Sequence, residues 1–117
     1  MGATVLSQKQ LSPGVVTLTD GPNIATTCAL GRRFQVTLGG NRTLDNPKNM
    51  QDGVQNVWEF VQDATGSRTI TLGSKFAFGT DITGLTLTTA ASKRDFMTGI
   101  YDSVSDKIFV VGVSKGY

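Results

Sequence analysis

Residues 34–44 read Phe34-Gln35-Val36-Thr37-Leu38-Gly39-Gly40-Asn41-Arg42-Thr43-Leu44, and the alternation inside them decides the fold class. Phe34, Val36 and Leu38 share one face of an extended chain and Gln35 and Thr37 the other, the period-2 pattern of a half-buried strand. Gly39-Gly40-Asn41 then supplies a turn of residues that tolerate positive φ, and Thr43-Leu44 starts the return.

The same grammar extends in both directions. Upstream, Val15 to Thr19 reads as a strand stopped by Asp20-Gly21-Pro22-Asn23, because Pro cannot donate to a ladder. Downstream, Asn56 to Asp63 alternates Val57, Glu59 and Val61 against Trp58, Phe60 and Gln62. The larger apolar payload assigns Trp58 and Phe60 to the core. Ala64-Thr65-Gly66-Ser67 reads as a hairpin loop into Arg68 to Leu72, with Ile70 and Leu72 facing one way. Phe76 and Phe78, Leu85 to Thr89, and a closing hairpin of Asp95 to Tyr101 with Lys107 to Val113 complete about eight short strands. The expectation is an all-β fold, a jelly-roll-like or two-sheet β-sandwich, in a single domain over residues 15–117. Its core is expected to contain Phe34, Val36, Leu38, Trp58, Phe60, Ile70 and Leu72.

Composition narrows the function. A chain of 117 residues leaves room for one domain, and 38% hydrophobic against 17% charged residues is too apolar for disorder. The net charge of +2 contains no run of like charges, so no nucleic-acid partner is expected. There is no His and a single Cys, Cys28, which removes Cys/His zinc sites, intrachain disulfides and His-dependent triads. Neither a signal peptide nor a membrane span is visible, so synthesis and folding in a cytoplasm and no membrane partner are expected. Cys28 reads as a small buried hydrophobe.

The remaining candidate chemistry is thin. Glu59 with Asp63 and Asp102 with Asp106 are carboxylate pairs, and glycoside hydrolysis needs two carboxyl groups across a cleft. Strand residues four apart, however, lie roughly 13 Å apart, and the loop pair reads as turn-forming Asp. Gly73-Ser74-Lys75 lacks the preceding Gly of a phosphate-binding loop, because position 68 is Arg. No catalytic residue, metal or cofactor is expected. Arg32, Arg33 and Arg42 are candidates for a basic patch facing a negatively charged partner, or alternatively a solvated edge that resists strand addition. Residues 1–14 form an extended N-terminal arm in which Val5, Leu6 and Leu11 stand among polar residues. It reads either as a frayed terminus or as a segment that orders against a neighbour, with those three side chains as its contacts.

The order of the short runs also carries a likeness. Val16 to Gly21, Ile24-Ala25, Leu30-Gly31, the stretch from Phe34 to Leu44, Asn46-Pro47, Trp58 to Asp63, Thr65 to Thr69, Phe76-Ala77-Phe78, Leu85 to Ala90 and Gly99 to Asp102 together resemble a β domain of tailed-bacteriophage virion proteins. The resemblance covers about residues 15 to 117, and Leu38 to Leu44 is its most specific element. It implies a non-enzymatic virion component, commonly a homotrimer. One form is a capsid decoration (cement) protein bound to the major capsid protein or other subunits of the head. The alternative is a tail-fibre or tail-tip domain that binds a host glycan or receptor through exposed aromatics such as Tyr101 or Tyr117. A generic carbohydrate-binding module would need a stacking platform, and the one Trp is assigned to the core.

Overall fold

The computed structural model describes residues 14–117, and the arm contacts expected of Val5, Leu6 and Leu11 lie outside the described residues. Nine strands and no helix occur among them: β1 (Val15–Thr17), β2 (Asn23–Ile24), β3 (Arg33–Leu38), β4 (Arg42–Leu44), β5 (Gln55–Gln62), β6 (Ile70–Leu72), β7 (Phe76–Ala77), β8 (Arg94–Asp102) and β9 (Lys107–Ser114). They form two sheets, one of six strands in the order β1-β3-β5-β8-β9-β7 and one of three in the order β2-β4-β6. The chain is therefore all-β, with one strand more than the sequence count.

From β1 to β6 the chain winds. Odd strands enter the large sheet and even strands the small one, and every pairing among these six is parallel. Val15 lies beside Arg33 and Arg33 beside Val57, while Asn23 lies beside Thr43 and Thr43 beside Thr71. Two expected hairpins are thereby corrected. Gly39-Gly40-Asn41 carries the chain from β3 across to β4 in the other sheet, and Ala64 to Ser67 carries it from β5 across to β6. Antiparallel pairing is confined to β8, which lies between β5 and β9, while β7 joins the far side of β9 in parallel.

Charge pairs hold the corners of this winding. Arg42 at the start of β4 grips Asp20 on the preceding winding with Nε to Oδ1 at 2.9 Å and Nη2 to Oδ2 at 3.1 Å. One winding on, Arg68 grips Asp63 in the same forked way, at 3.2 and 2.9 Å. Asn41 Oδ1 accepts the Thr69 N–H and so links those two windings. The two glycines of the corner are small for a reason other than φ, since neither has a positive value. A Cβ on Gly39 would stand 2.8 Å from Asp20 Oδ2, and one on Gly40 would stand 2.7 Å from Arg42 Nη1. Backbone must approach the ion pair closely there, which is the second use of glycine.

One apolar core joins the two sheets. Phe34, Val36 and Leu38 of β3, Trp58 and Phe60 of β5, Met97 of β8 and Ile108 and Val110 of β9 are buried with Ile24 and Leu44 of the small sheet. Ile70 and Leu72 are half-buried and pack against this cluster. Trp58 is at its centre. Its ring stacks on Phe34 at 5.8 Å and meets Phe76 edge-on at 5.4 Å, and its Nε1 donates to Thr26 Oγ1 at 3.2 Å. The indole thus buries its apolar body and still satisfies its one donor. Cys28 is half-buried against the same core, and loss of water pushes its thiol up to about 11.

Leu85 to Thr89, expected as a strand, joins no ladder. Side chains and one loop amide serve its backbone instead: Thr88 N–H donates to Asp95 Oδ2 at 2.6 Å, Thr88 C=O accepts from Gln62 Nε2 at 2.8 Å, and Thr89 C=O accepts from Ser67 N–H at 2.8 Å. Leu87 still faces the core. The alternating pattern therefore reported burial correctly and pairing incorrectly.

Candidate interaction face

The large sheet has a second face, turned away from the core. Register assigns its residues: Arg33 lies beside Val57 and Val57 beside Thr98, Gln35 beside Glu59 and Glu59 beside Phe96, Val61 beside Arg94, and Ile100 beside Phe109. Val57, Val61, Phe96, Thr98 and Ile100 are half-exposed, and Phe109 is 45% exposed. None of these apolar side chains belongs to the core cluster. A register shift between Thr98 and Gly99 leaves Val111 as an extra residue of β9, and it too is exposed, at 50%. Bulges re-aim side chains in this manner.

In the middle of that face sits a carboxylate without access to water. Glu59 accepts from Arg33 Nη2 at 2.6 Å, Gln35 Nε2 at 2.8 Å and Arg94 Nη1 at 2.8 Å, and its side chain is 0% exposed. Burial alone would raise its pKa. The hydrogen bonds from Arg33 and Gln35 and the charges of Arg33 and Arg94 outweigh that cost and hold it below the ordinary glutamate value. The two guanidinium groups remain roughly half in water. Arg33 also lies over the Phe96 ring at 5.7 Å, and Tyr117 meets the same ring edge-on at 5.6 Å. Two cations around one anion leave one positive charge in excess at the centre of a face that otherwise carries Gln35, Thr98 and the apolar side chains named above.

The sequence candidates fall in different places. Arg32 and Arg33 stand at the start of β3 and Arg42 beyond its end, so the length of a six-residue strand, roughly 20 Å, separates them. They do not meet in one basic patch. Arg33 belongs to the open face, whereas Arg42 is spent on Asp20 and holds a corner. The carboxylate pairs are separate as well. Asp63 is held by Arg68, whose hydrogen bonds keep it below the ordinary aspartate pKa, while Glu59 is held by its own two arginines. Asp102 accepts from Ser105 N–H at 2.9 Å, the turn role its position implied, and Asp106 accepts from Tyr101 Oη at 2.7 Å and from Lys75. Lys75 N–H donates to Asn46 Oδ1 at 2.9 Å, so Gly73-Ser74-Lys75 is a corner of the winding. The residue that sequence reasoning passed over is Arg94, whose signal would have been the pairing of Glu59 with two basic residues on neighbouring strands.

Among the described residues no group of three or more His, Cys, Asp or Glu side chains is arranged to hold a metal ion. No helix among the described residues is long and apolar enough to cross a membrane. Comparison with protein-family profiles, curated proteins and solved structures finds no match.

Proposed function

We propose that this chain is a non-enzymatic structural protein of a bacteriophage virion. In this reading it is a homotrimeric capsid decoration (cement) protein that binds the assembled head and stabilises contacts between capsomers. The two sheets act as a compact sandwich-like unit, and residues 1–14 serve as an additional contact to the shell. The observation that supports this role is the open face of the large sheet. Half-exposed Val57, Phe96 and Ile100 with exposed Phe109 and Val111 place five apolar side chains on the side of the sheet turned away from the core, and grouped exposed apolar side chains of this kind mark protein contact. The carboxylates that could have argued for catalysis are each engaged by an arginine, a turn or a lysine.

The test is attachment to heads. Labelled protein mixed with undecorated heads should co-sediment saturably, and electron microscopy should show it in groups of three on the shell. Removal of residues 1–12 should weaken that attachment. Density on the tail would transfer the protein to receptor binding, and failure to bind either part of the particle would overturn a virion role.

A further inference from the structure

We propose that Asp81 of one copy of this chain docks on the Arg33–Glu59–Arg94 cluster of the next, as the polar centre of an edge-to-face contact between copies. The proposal rests on the homotrimer reading and names its interface.

Two complementary charges define the contact. On the open face, Arg33 and Arg94 share the single charge of buried Glu59. Each guanidinium gives Glu59 one hydrogen bond, so further N–H donors of both remain available to a partner. Covering this face with apolar groups alone would strip those donors of water without replacing it, at a cost for each. The occupant therefore brings a carboxylate surrounded by apolar side chains.

This chain carries one such group. Of its nine acidic residues, Asp20, Glu59, Asp63 and Asp106 are in ion pairs. Asp45, Asp52, Asp95 and Asp102 accept hydrogen bonds. Asp81 alone has neither among the described residues. It is exposed, follows β7 at one edge of the large sheet, and lines an open concavity of about 280 Å³ with Ile82, Val110 and Val111. A carboxylate beside Ile82 and Val111 matches the chemistry that the cluster requires.

The pairing cannot be made within one chain. Asp81 borders β9, three strands from β3, which at about 4.8 Å per strand puts it roughly 14 Å from Arg33 across the sheet. Arg94 lies five residues along β8 from Gly99, the partner of Val110, which is roughly 17 Å along the strand. A twofold contact of two identical faces would oppose two excess positive charges. An edge-to-face contact instead sets the Asp81 edge of one copy against the Arg33–Glu59–Arg94 cluster of the other, with Val111 at the border of that edge and the open face, and such heterologous contacts close into rings where the rotation between copies returns to its start.

Sedimentation equilibrium of the purified full chain tests this. Asp81→Asn and Asp81→Arg should shift the trimer toward monomer by at least tenfold in dissociation constant, while Asp81→Glu retains it. Because Asp81 is exposed and unbonded, far-UV circular dichroism should stay native in all three. Arg33→Gln should weaken assembly similarly, and the double variant Asp81→Asn with Arg33→Gln should be no weaker than either single one. A trimer that survives Asp81→Arg, or losses that simply add, overturns this contact and leaves the trimer standing. A wild-type chain that stays monomeric at hundreds of micromolar overturns both.

Discussion

Replacing Glu59 by Gln tests the account of the open face. The substitution keeps the shape and one acceptor oxygen but removes the charge that offsets two arginines. Breaking a buried ion pair by deleting one partner costs about 3 to 5 kcal/mol when the remaining charge is trapped. Here the arginines are 47% and 43% exposed, so water reclaims part of their charge. The cost should fall to about 2 kcal/mol, in line with hydrogen bonds to a charged group. The pH dependence fixes the mechanism. Glu59 has a folded pKa below the ordinary value of 4.5, so the unfolded chain takes up its proton first as pH falls. The stabilisation is therefore fully present above the unfolded pKa and is lost as pH drops through the folded one. Urea unfolding of wild type and Glu59→Gln, followed by circular dichroism at pH 7 and at successively lower pH, should show a gap that shrinks below about pH 4.5. A gap that is absent at pH 7, or that is as large in acid as at neutrality, would refute the charge argument.

Trp58→Ala should cost about 3 to 5 kcal/mol through lost transfer and a cavity, and Trp58→Phe less, because Phe keeps the ring contacts but leaves the Thr26 hydroxyl without its donor; equilibrium unfolding followed by circular dichroism measures both, and a cost below about 1 kcal/mol for Trp58→Ala contradicts its central position. Gly99→Ala should destabilise by about 1 to 3 kcal/mol, since its Cβ would be driven into Ile108 and stand 3.6 Å from the Trp58 ring; an unchanged unfolding midpoint speaks against that packing. Gly40→Ala should lower the thermal midpoint by displacing Arg42 from Asp20, and the same change in an Asp20→Asn background should have a smaller effect. Cys28 should react slowly with a thiol reagent at pH 8, where a thiol pushed up to about 11 is almost wholly protonated, and quickly in urea.

The legible part of the fold was the part written in side-chain alternation. Phe34, Val36 and Leu38 announced a buried face because burial on one side of a strand requires period 2, and Trp58 and Phe60 were assigned inward by size. Pairing direction was not legible. An apolar residue every second position satisfies a parallel neighbour as well as an antiparallel one, and the corner segments resemble hairpin turns in composition. Gly39-Gly40 illustrates the ambiguity. Its glycines looked like positive-φ residues, whereas they make room for an Asp20–Arg42 pair formed by residues far apart in sequence. Residues 85–89 are the converse case, with a strand pattern that burial of Leu87 and packing of Leu85 against the core explain without a ladder.

The open face was illegible for a related reason. In β5 both sets of side chains are mostly buried or half-buried, so Val57, Glu59 and Val61 offer no clean polar stripe to mark an outer surface. Glu59 in isolation reads as a solvent-facing charge. Its burial depends on Gln35 beside it in β3 and on Arg33 and Arg94 reaching in from the strands on either side. Register supplies that information, and register here follows from the winding. Because β3 and β5 are parallel, Arg33 lies beside Val57 and reaches Glu59 diagonally. Shifting β3 by one position against β5 would turn Arg33 toward Trp58 and bury an unpaired cation in the core. The Arg33–Glu59–Arg94 cluster therefore also favours one register of the two strands at the centre of the sheet.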